Sequence, residues 1–319
     1  MTIGRHILAL ALSLILFNTG AYSYNHPRVP DKMVFAGDTV YFDRADIRER
    51  MDREILTFAY MHSTSELMIK RANRIFPEVE PLLKEGGIPD DLKYLMVIES
   101  NLDPNARSGA GAAGLWQFMA ATAREFGMVV NSEVDERYNT AKATAAACKY
   151  LNNAYKKYGD WMTVAASYNA GQGGISKKLS EQHRESAMDL WLVEETSRYM
   201  FRILAAKLYF EHPAAFGFTF APEDLYPYIP PKKIVEVKGS IASLIDFAES
   251  YGVSYAELKR ANVWLRDSKL VNKEKKTYEI AIPDTVAMRY DPKKTKVHNS
   301  AWIQISIIPD RLTRNTVER

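Results

Sequence analysis

The chain of 319 residues contains one cysteine, Cys148, so no intrachain disulfide can form and the fold must be held by its core. Cys148 shares a helical face with Leu151 and Tyr155, which suits a small core hydrophobe better than a nucleophile. The six histidines (His6, His26, His62, His183, His212 and His298) are scattered singly, and no His/Cys cluster has metal-ligand spacing. Neither a metal nor any other cofactor is expected. Long apolar runs are also scarce. Residues 7–17 form one that is too short to span a bilayer comfortably and has the size of a signal h-region. Arg5 and His6 precede it, and Ala21-Tyr22-Ser23 offers small residues at a cleavage site after Ser23. Residues 1–23 therefore read as a secretory signal peptide, with an uncleaved anchor as the alternative, and the protein as exported to the periplasm or cell envelope. No cysteine lies near the run, so there is no lipobox and no lipid anchor is expected. A strong charge of one sign is missing as well. The net charge is +3, with 17 Lys/Arg against 11 Asp/Glu from Lys232 onward and a mild acidic excess before it. That C-terminal bias suits an anionic polymer or surface, and export disfavours nucleic acid.

What is present is helical periodicity. Residues 24–43 look extended, with a turn at Gly37-Asp38. Ile47, Met51, Ile55 and Phe58 then recur on one helical face, and a second helix is expected from Ser63-Thr64-Ser65-Glu66 through Phe76. Further helices are predicted over residues 140–158, 162–168 and 193–209. An all-α domain over residues 44–218 follows from this pattern. Prolines 222, 227, 230 and 231 mark a stiff linker over residues 219–231. Beyond it the period changes to β-α-α-β over residues 232–290, with a capping box at Ser254 and Glu257. A basic tail occupies residues 291–319, in which residues 302–308 alternate as an edge strand would.

The helix at residues 92–101 carries the sharpest chemical signal. Pro89, Asp90 and Asp91 suit its first turn, and Pro104 is expected to stop it. Its apolar stripe runs through Leu92, Leu95 and Met96, and the next position of that stripe is Glu99. Desolvation there raises a carboxyl pKa and suits a general acid, although an Arg-paired structural Glu fits the helix alone equally well. Next comes the glycine-rich stretch at residues 105–114, which would let backbone approach a ligand, and then Leu115-Trp116-Gln117-Phe118-Met119. Trp116 with Gln117 suits a sugar platform, while a core role for Trp116 fits no less well. Ser167-Tyr168-Asn169-Ala170-Gly171 places a polar pair at a helix end, and Arg198 and Tyr199 sit on the last long helix.

Four ordered segments, Glu99-Ser100, residues 109–119, residues 167–171 and Glu195-Thr196-Ser197-Arg198-Tyr199, resemble the motifs of family 1 lytic transglycosylases. The Trp in the second motif and Val134-Asp135-Glu136-Arg137 behind it resemble the D branch of the membrane-bound lytic murein transglycosylases. This resemblance spans residues 87–208, and residues 232–290 resemble a LysM module. The resemblance implies a mainly α protein, a lysozyme-like domain followed by a glycan-binding β-α-α-β module. It implies cleavage of the β-1,4 bond between N-acetylmuramic acid and N-acetylglucosamine in peptidoglycan glycan strands, with a 1,6-anhydro product. Glu99 would be the single acid/base. Ser100 would follow it, Ser108 and Gln117 would contact sugar, Met119 would line the cleft, Tyr168 and Asn169 would bind glycan, and Tyr199 would hold Glu99. Asp135 and Glu136, beside Arg137, read as structural. The sequence departs from the pattern at Ala120, Ser167 and Gln172, and at Gly239-Ser240-Ile241 where the module usually has Gly-Asp-Thr. A hydrolytic goose-type muramidase on the same fold, or an inactive wall-binding protein, are the alternatives. No motif points to a regulatory protein partner.

Overall fold

The computed structural model describes residues 26–303; the expected signal peptide at residues 1–23 and the tail residues 304–319 lie outside them. The chain opens on a hairpin, β1 (Lys32–Phe35) and β2 (Asp38–Tyr41), turned at Ala36 and Gly37 with φ of 53° and 95°. It continues with helices α1 (Ala45–Tyr60), α2 (His62–Glu85), α3 (Lys93–Ser100), α4 (Ala120–Glu125), α5 (Thr140–Tyr158), α6 (Trp161–Ala170), α7 (Gln172–Gln182) and α8 (Glu194–Glu211). The mainly α class is the one the periodicity predicts. Among the described residues no helix is long and apolar enough to cross a membrane.

The organising element is α8. Tyr199, Phe201, Leu204, Ala206 and Phe210 are all buried, so apolar contact surrounds the helix instead of lying in a stripe. Helices α1, α3 and α6 pack directly on it. A buried ion pair locks α1 to α8. Glu54 has no exposed side-chain surface, Arg198 donates to both of its oxygens at 2.7 and 3.2 Å, and Arg53 adds a contact at 3.2 Å. An acid taken out of water in this way needs such partners.

The short α3 ends earlier than Pro104 would require. Asn101 (φ 50°) and Leu102 (φ 57°) both adopt left-handed conformations, and Arg71 donates to the Asn101 carbonyl at 3.0 Å. At its other end Asp91 is held by Lys207 (2.7 Å) and by the Ala36 amide (2.7 Å), which fixes α3 between the hairpin and α8.

After residue 231 the chain forms β3 (Lys233–Val237), α9 (Leu244–Ser250), α10 (Tyr255–Ala261) and β4 (Tyr278–Ile282). The strands pair antiparallel with Val235 opposite Ile280. The Ser254/Glu257 capping box forms as the sequence predicts. Asn262 brackets β4 by donating to the Ala281 carbonyl (2.7 Å) and accepting from the Ala281 amide (2.8 Å).

This module is docked. Val134 and Leu265 form an antiparallel bridge, the Asp135 amide donates to the Trp264 carbonyl (2.9 Å), and the Arg266 amide donates to the Glu133 carbonyl (2.7 Å). Ala113, Val134 and Tyr138 share one apolar cluster with Leu244, Leu258 and Ile280 of the module.

The segment after residue 291 differs from the expected tail. Trp302 is buried against Phe76 and Phe210 and donates to the Phe210 carbonyl at 2.8 Å, so it completes the core of the helical domain. It lies in a 3₁₀ turn, Ser300–Trp302, and Ile303 forms a parallel bridge with Phe220. The remainder of the expected edge strand, residues 304–308, is outside the described residues. Asn73 on α2 ties the linker to this returning segment, donating to the Tyr226 and Lys296 carbonyls and accepting from the His298 amide. The linker is therefore fastened to the helical domain.

Candidate active site

Glu99 stands one residue before the end of α3 and faces α8, where the Tyr199 hydroxyl donates to its Oε1 at 2.6 Å. Burial pushes the Glu99 carboxyl up from the ordinary 4.5 to about 7, against the opposing pull of the Tyr199 hydrogen bond and of Arg202. Glu195, earlier on α8, pushes it up further. Tyr199 itself is buried and its hydroxyl is held far above the usual tyrosine range by desolvation and by the neighbouring Glu99, so it stays a donor. The two members of the pair are thus matched: a carboxyl that can carry a proton near neutral pH, and a phenol that cannot lose its own.

Tyr199→Phe removes a donor that favours the carboxylate. The alkaline limb of any Glu99-dependent activity should therefore move to higher pH, and the rate should fall roughly 10- to 100-fold. A pH–rate profile of the variant checks this; a fall in rate with an unmoved limb would assign Tyr199 a packing role only.

Tyr168 and Asn169 occupy the last turn of α6, before Gly171 (φ 78°) turns the chain. The Tyr168 hydroxyl donates to the Trp116 carbonyl at 2.7 Å, and its ring meets Phe118 and Tyr150 edge-on. Asn169 Oδ1 accepts from Thr196 Oγ1 of α8 at 2.8 Å. The sequence-predicted residues Glu99, Tyr168, Asn169 and Tyr199 are thereby brought together around one end of α8.

The second motif is placed differently from its reading as a sugar platform. Trp116 is 0% exposed and donates to Thr144 Oγ1 at 3.0 Å, so it belongs to the core. Gln117 adopts φ 48° and spends its amide nitrogen on the carbonyls of Gly114 (2.7 Å) and Ala106 (3.2 Å); only its Oε1 remains for a ligand. Ser100 is buried with its hydroxyl donated to the Met96 carbonyl at 3.0 Å. Ser108 is exposed in a turn closed by the Ala112 amide donating to its Oγ at 3.0 Å. Met119 is exposed and caps α4, whose first residue is Ala120. At the second departure from the pattern, Ser167 buries its hydroxyl on the Val164 carbonyl at 2.7 Å.

The glycine-rich loop owes its glycine at 114 to protein, not to a ligand. A Cβ there would sit 1.9 Å from the Arg137 carbonyl oxygen, and φ is 75°. Arg137 in turn anchors the loop, donating to the carbonyls of Gly111 (2.8 Å) and Phe118 (3.0 Å) while Asp135 holds its guanidinium through both oxygens (2.9 and 2.7 Å). Glu136 accepts from the Val129 amide at 2.7 Å. Asp135 and Glu136 are structural, as their sequence context implies.

Two contributors have no role in the sequence reading. Thr196 positions Asn169, and Glu54 holds Arg198. Glu54 lies at the i+7 position of the stripe begun by Ile47, the signal that reveals Glu99, so the same rule would have found it. Among the described residues no group of three or more His, Cys, Asp or Glu side chains could hold a metal ion.

The geometry sets a buried carboxyl, raised to about 7 and held by a tyrosine, close to a Tyr–Asn pair at the end of α6. Residues 80–190 match the transglycosylase SLT domain and residues 233–286 match the soluble lytic transglycosylase C-terminal LysM-like domain. The chain thus carries an SLT transglycosylase domain followed by a LysM-like domain. It is homologous to membrane-bound lytic murein transglycosylase D of Escherichia coli strain K12, with 27% identity over 249 residues, 75% of this chain and 53% of that protein. The chain spans about half the length of that curated relative. Peptidoglycan transglycosylase gp16 of Escherichia phage T7 is 32% identical over 117 residues, 36% of this chain and 9% of that one. Among solved structures, an inactive mutant of lytic transglycosylase Slt from Pseudomonas aeruginosa is 25% identical, with a TM-score of 0.36, covering 41% of this chain and 23% of that chain.

Proposed function

We propose that this protein is a peptidoglycan lytic transglycosylase of the cell envelope, with Glu99 as its only acid/base. The observation that carries the reading is the Glu99 carboxyl, raised to about 7 and held by Tyr199. Protonated Glu99 donates to the glycosidic oxygen between N-acetylmuramic acid and N-acetylglucosamine as the bond breaks. The resulting carboxylate then removes the proton from the muramic acid C6 hydroxyl, whose oxygen closes on C1. That step yields a 1,6-anhydro end and returns the proton to Glu99, with no water consumed. Intramolecular attack is favoured because the held hydroxyl has a very high effective molarity.

Most glycosidases that use water place a second carboxylate across the bond. Asp103 pairs with Arg71 (3.7 Å) and Asp135 with Arg137, so both are engaged elsewhere. Glu195 is the carboxylate whose field reaches Glu99, and it lies exposed in the first turn of α8. The proposal gives it no proton to transfer. Glu195→Gln should retain turnover within about fivefold, and with less like-charge repulsion the Glu99 pKa and the alkaline limb should move to lower pH. A loss of more than a hundredfold would make Glu195 the base of a hydrolytic muramidase. In this reading Asn169, Gln117 Oε1, Ser108 and Met119 face the glycan, Tyr168 and Ser100 support the site from behind, and the docked module offers a second glycan-binding surface.

A further inference from the structure

Four of the five tryptophans are buried: Trp116, Trp161, Trp264 and Trp302 are each at most 6% exposed. Trp191 is 82% exposed. A surface indole on a loose loop would mean little, but here the backbone that carries the ring is held. The Trp191 amide donates to Gln182 Oε1 at 2.8 Å, and Gln182 Nε2 donates to the Trp191 carbonyl at 2.9 Å, so one side chain clamps both backbone groups. On one side Asp189 pairs with Arg44 at 3.5 Å, and on the other Glu194 pairs with Arg53. Both arginines come from the α1 end of the helical domain, and Gln182 ends α7. Val193, next to the clamp, is 72% exposed.

Trp191 lies just ahead of the N-terminus of α8, the end of that helix that carries Thr196 and Tyr199. Going from Glu99 toward the N-terminus of α8, the chain passes Tyr199 on the carboxyl, then Thr196 on Asn169, then Val193 at the cap and Trp191 two residues beyond. From Tyr199 to Val193 is about 9 Å of helix. Gln182 belongs to the helix that follows Asn169 after Gly171, so the clamp and the Tyr168–Asn169 pair sit on the same helical hairpin. We infer that Trp191 is a preorganised stacking platform for a sugar ring of the glycan strand, a binding position lying outward from Glu99 past Asn169. This rests on the glycan-cleaving reading above. A pyranose offers an apolar face of C–H bonds that matches an indole, and a ring already held in place loses little freedom on binding. An anionic lipid surface fits poorly, because Asp189 and Glu194 are each paired with an arginine and Glu195 stands beside them, so the loop carries no basic excess.

Trp191 is also the dominant target for a collisional quencher, since the other four indoles are buried. In Glu99→Gln protein, uncrosslinked glycan strands of eight or more sugars should protect fluorescence from acrylamide, whereas a single disaccharide-peptide should not. In the otherwise wild-type enzyme, Trp191→Ala should raise KM for strands about tenfold with kcat unchanged, and Trp191→Phe should restore most of it. Unchanged KM in Trp191→Ala, or an indole still fully quenchable at saturating strand, would overturn the platform. So would protection that appears without glycan as protein concentration rises, which would mean contact between copies. If strands protect the indole but the wild type releases no anhydro product, the platform stands and the catalytic reading fails. If anhydro product forms while the indole stays quenchable, the platform alone fails.

Discussion

Glu99→Gln is expected to lower release of soluble fragments from peptidoglycan by at least about a thousandfold while leaving the fold and glycan binding intact. The amide keeps the shape of the side chain and can still meet the Tyr199 hydroxyl, but it cannot deliver a proton to the leaving oxygen or take one from the C6 hydroxyl. Loss of both steps in one substitution follows from assigning both to one residue. The same variant should alter stability in a pH-dependent way. Because the folded-state pKa of Glu99 is about 7 and the ordinary value is 4.5, the folded state prefers the neutral form. The favourable contribution is fully present below about pH 4.5 and is lost as pH rises through about 7. Thermal unfolding should thus show Glu99→Gln more stable than wild type at pH 8, by on the order of 1–3 kcal/mol, with the difference vanishing near pH 4. Equal stability at both pH values would mean that the carboxyl is better solvated than its surroundings imply. For the wild type, activity should decline above about pH 7 as the acid is lost.

The second large effect is structural. Gly114→Ala should cost more than about 3 kcal/mol and abolish activity with it. Two penalties coincide there: φ of 75°, which an L side chain rarely adopts, and a Cβ position 1.9 Å from the Arg137 carbonyl oxygen. That oxygen belongs to backbone fixed by the Asp135–Arg137 pair and by the docked module, so it cannot swing aside as a side-chain tip would. Gly111→Ala is the control. Its φ is 89°, yet nothing lies within 4 Å of its Cβ position, so only the conformational penalty of about 1 kcal/mol applies. Denaturant midpoints for the two variants should therefore differ by about 2 kcal/mol or more. Equal destabilisation would refute the close-approach explanation of Gly114.

These residues show where sequence and structure part company. Glu99 was legible because a carboxyl interrupts an apolar stripe, and the capping box at Ser254 was legible because its logic is local. Glu54 obeys the same stripe rule, but the partner that explains it, Arg198, is 144 residues away. The role of Gly114 was hidden for the same reason: its neighbour across the close approach is Arg137, and nothing local distinguishes that need from approach by a ligand. Trp116 illustrates the ambiguity of aromatics, since only the pairing with Thr144 places it inside. Trp302 reads as the start of an alternating edge strand in a basic tail, whereas it packs against Phe76 and Phe210 in the helical core. The Tyr199 hydroxyl meets Glu99 as the resemblance implies, whereas Gln117 and Tyr168, expected to contact glycan, spend hydrogen bonds on the backbone of residues 114 and 116.

The central claim is that one carboxyl does the work of two. It is tested most directly by the masses of soluble products released when the protein digests purified sacculi. The account predicts muropeptides ending in 1,6-anhydro-N-acetylmuramic acid, each lighter by one water than its hydrolysed counterpart and inert to borohydride reduction. Products with only reducing muramic acid ends would contradict it and would require a second, water-activating group beside Glu99.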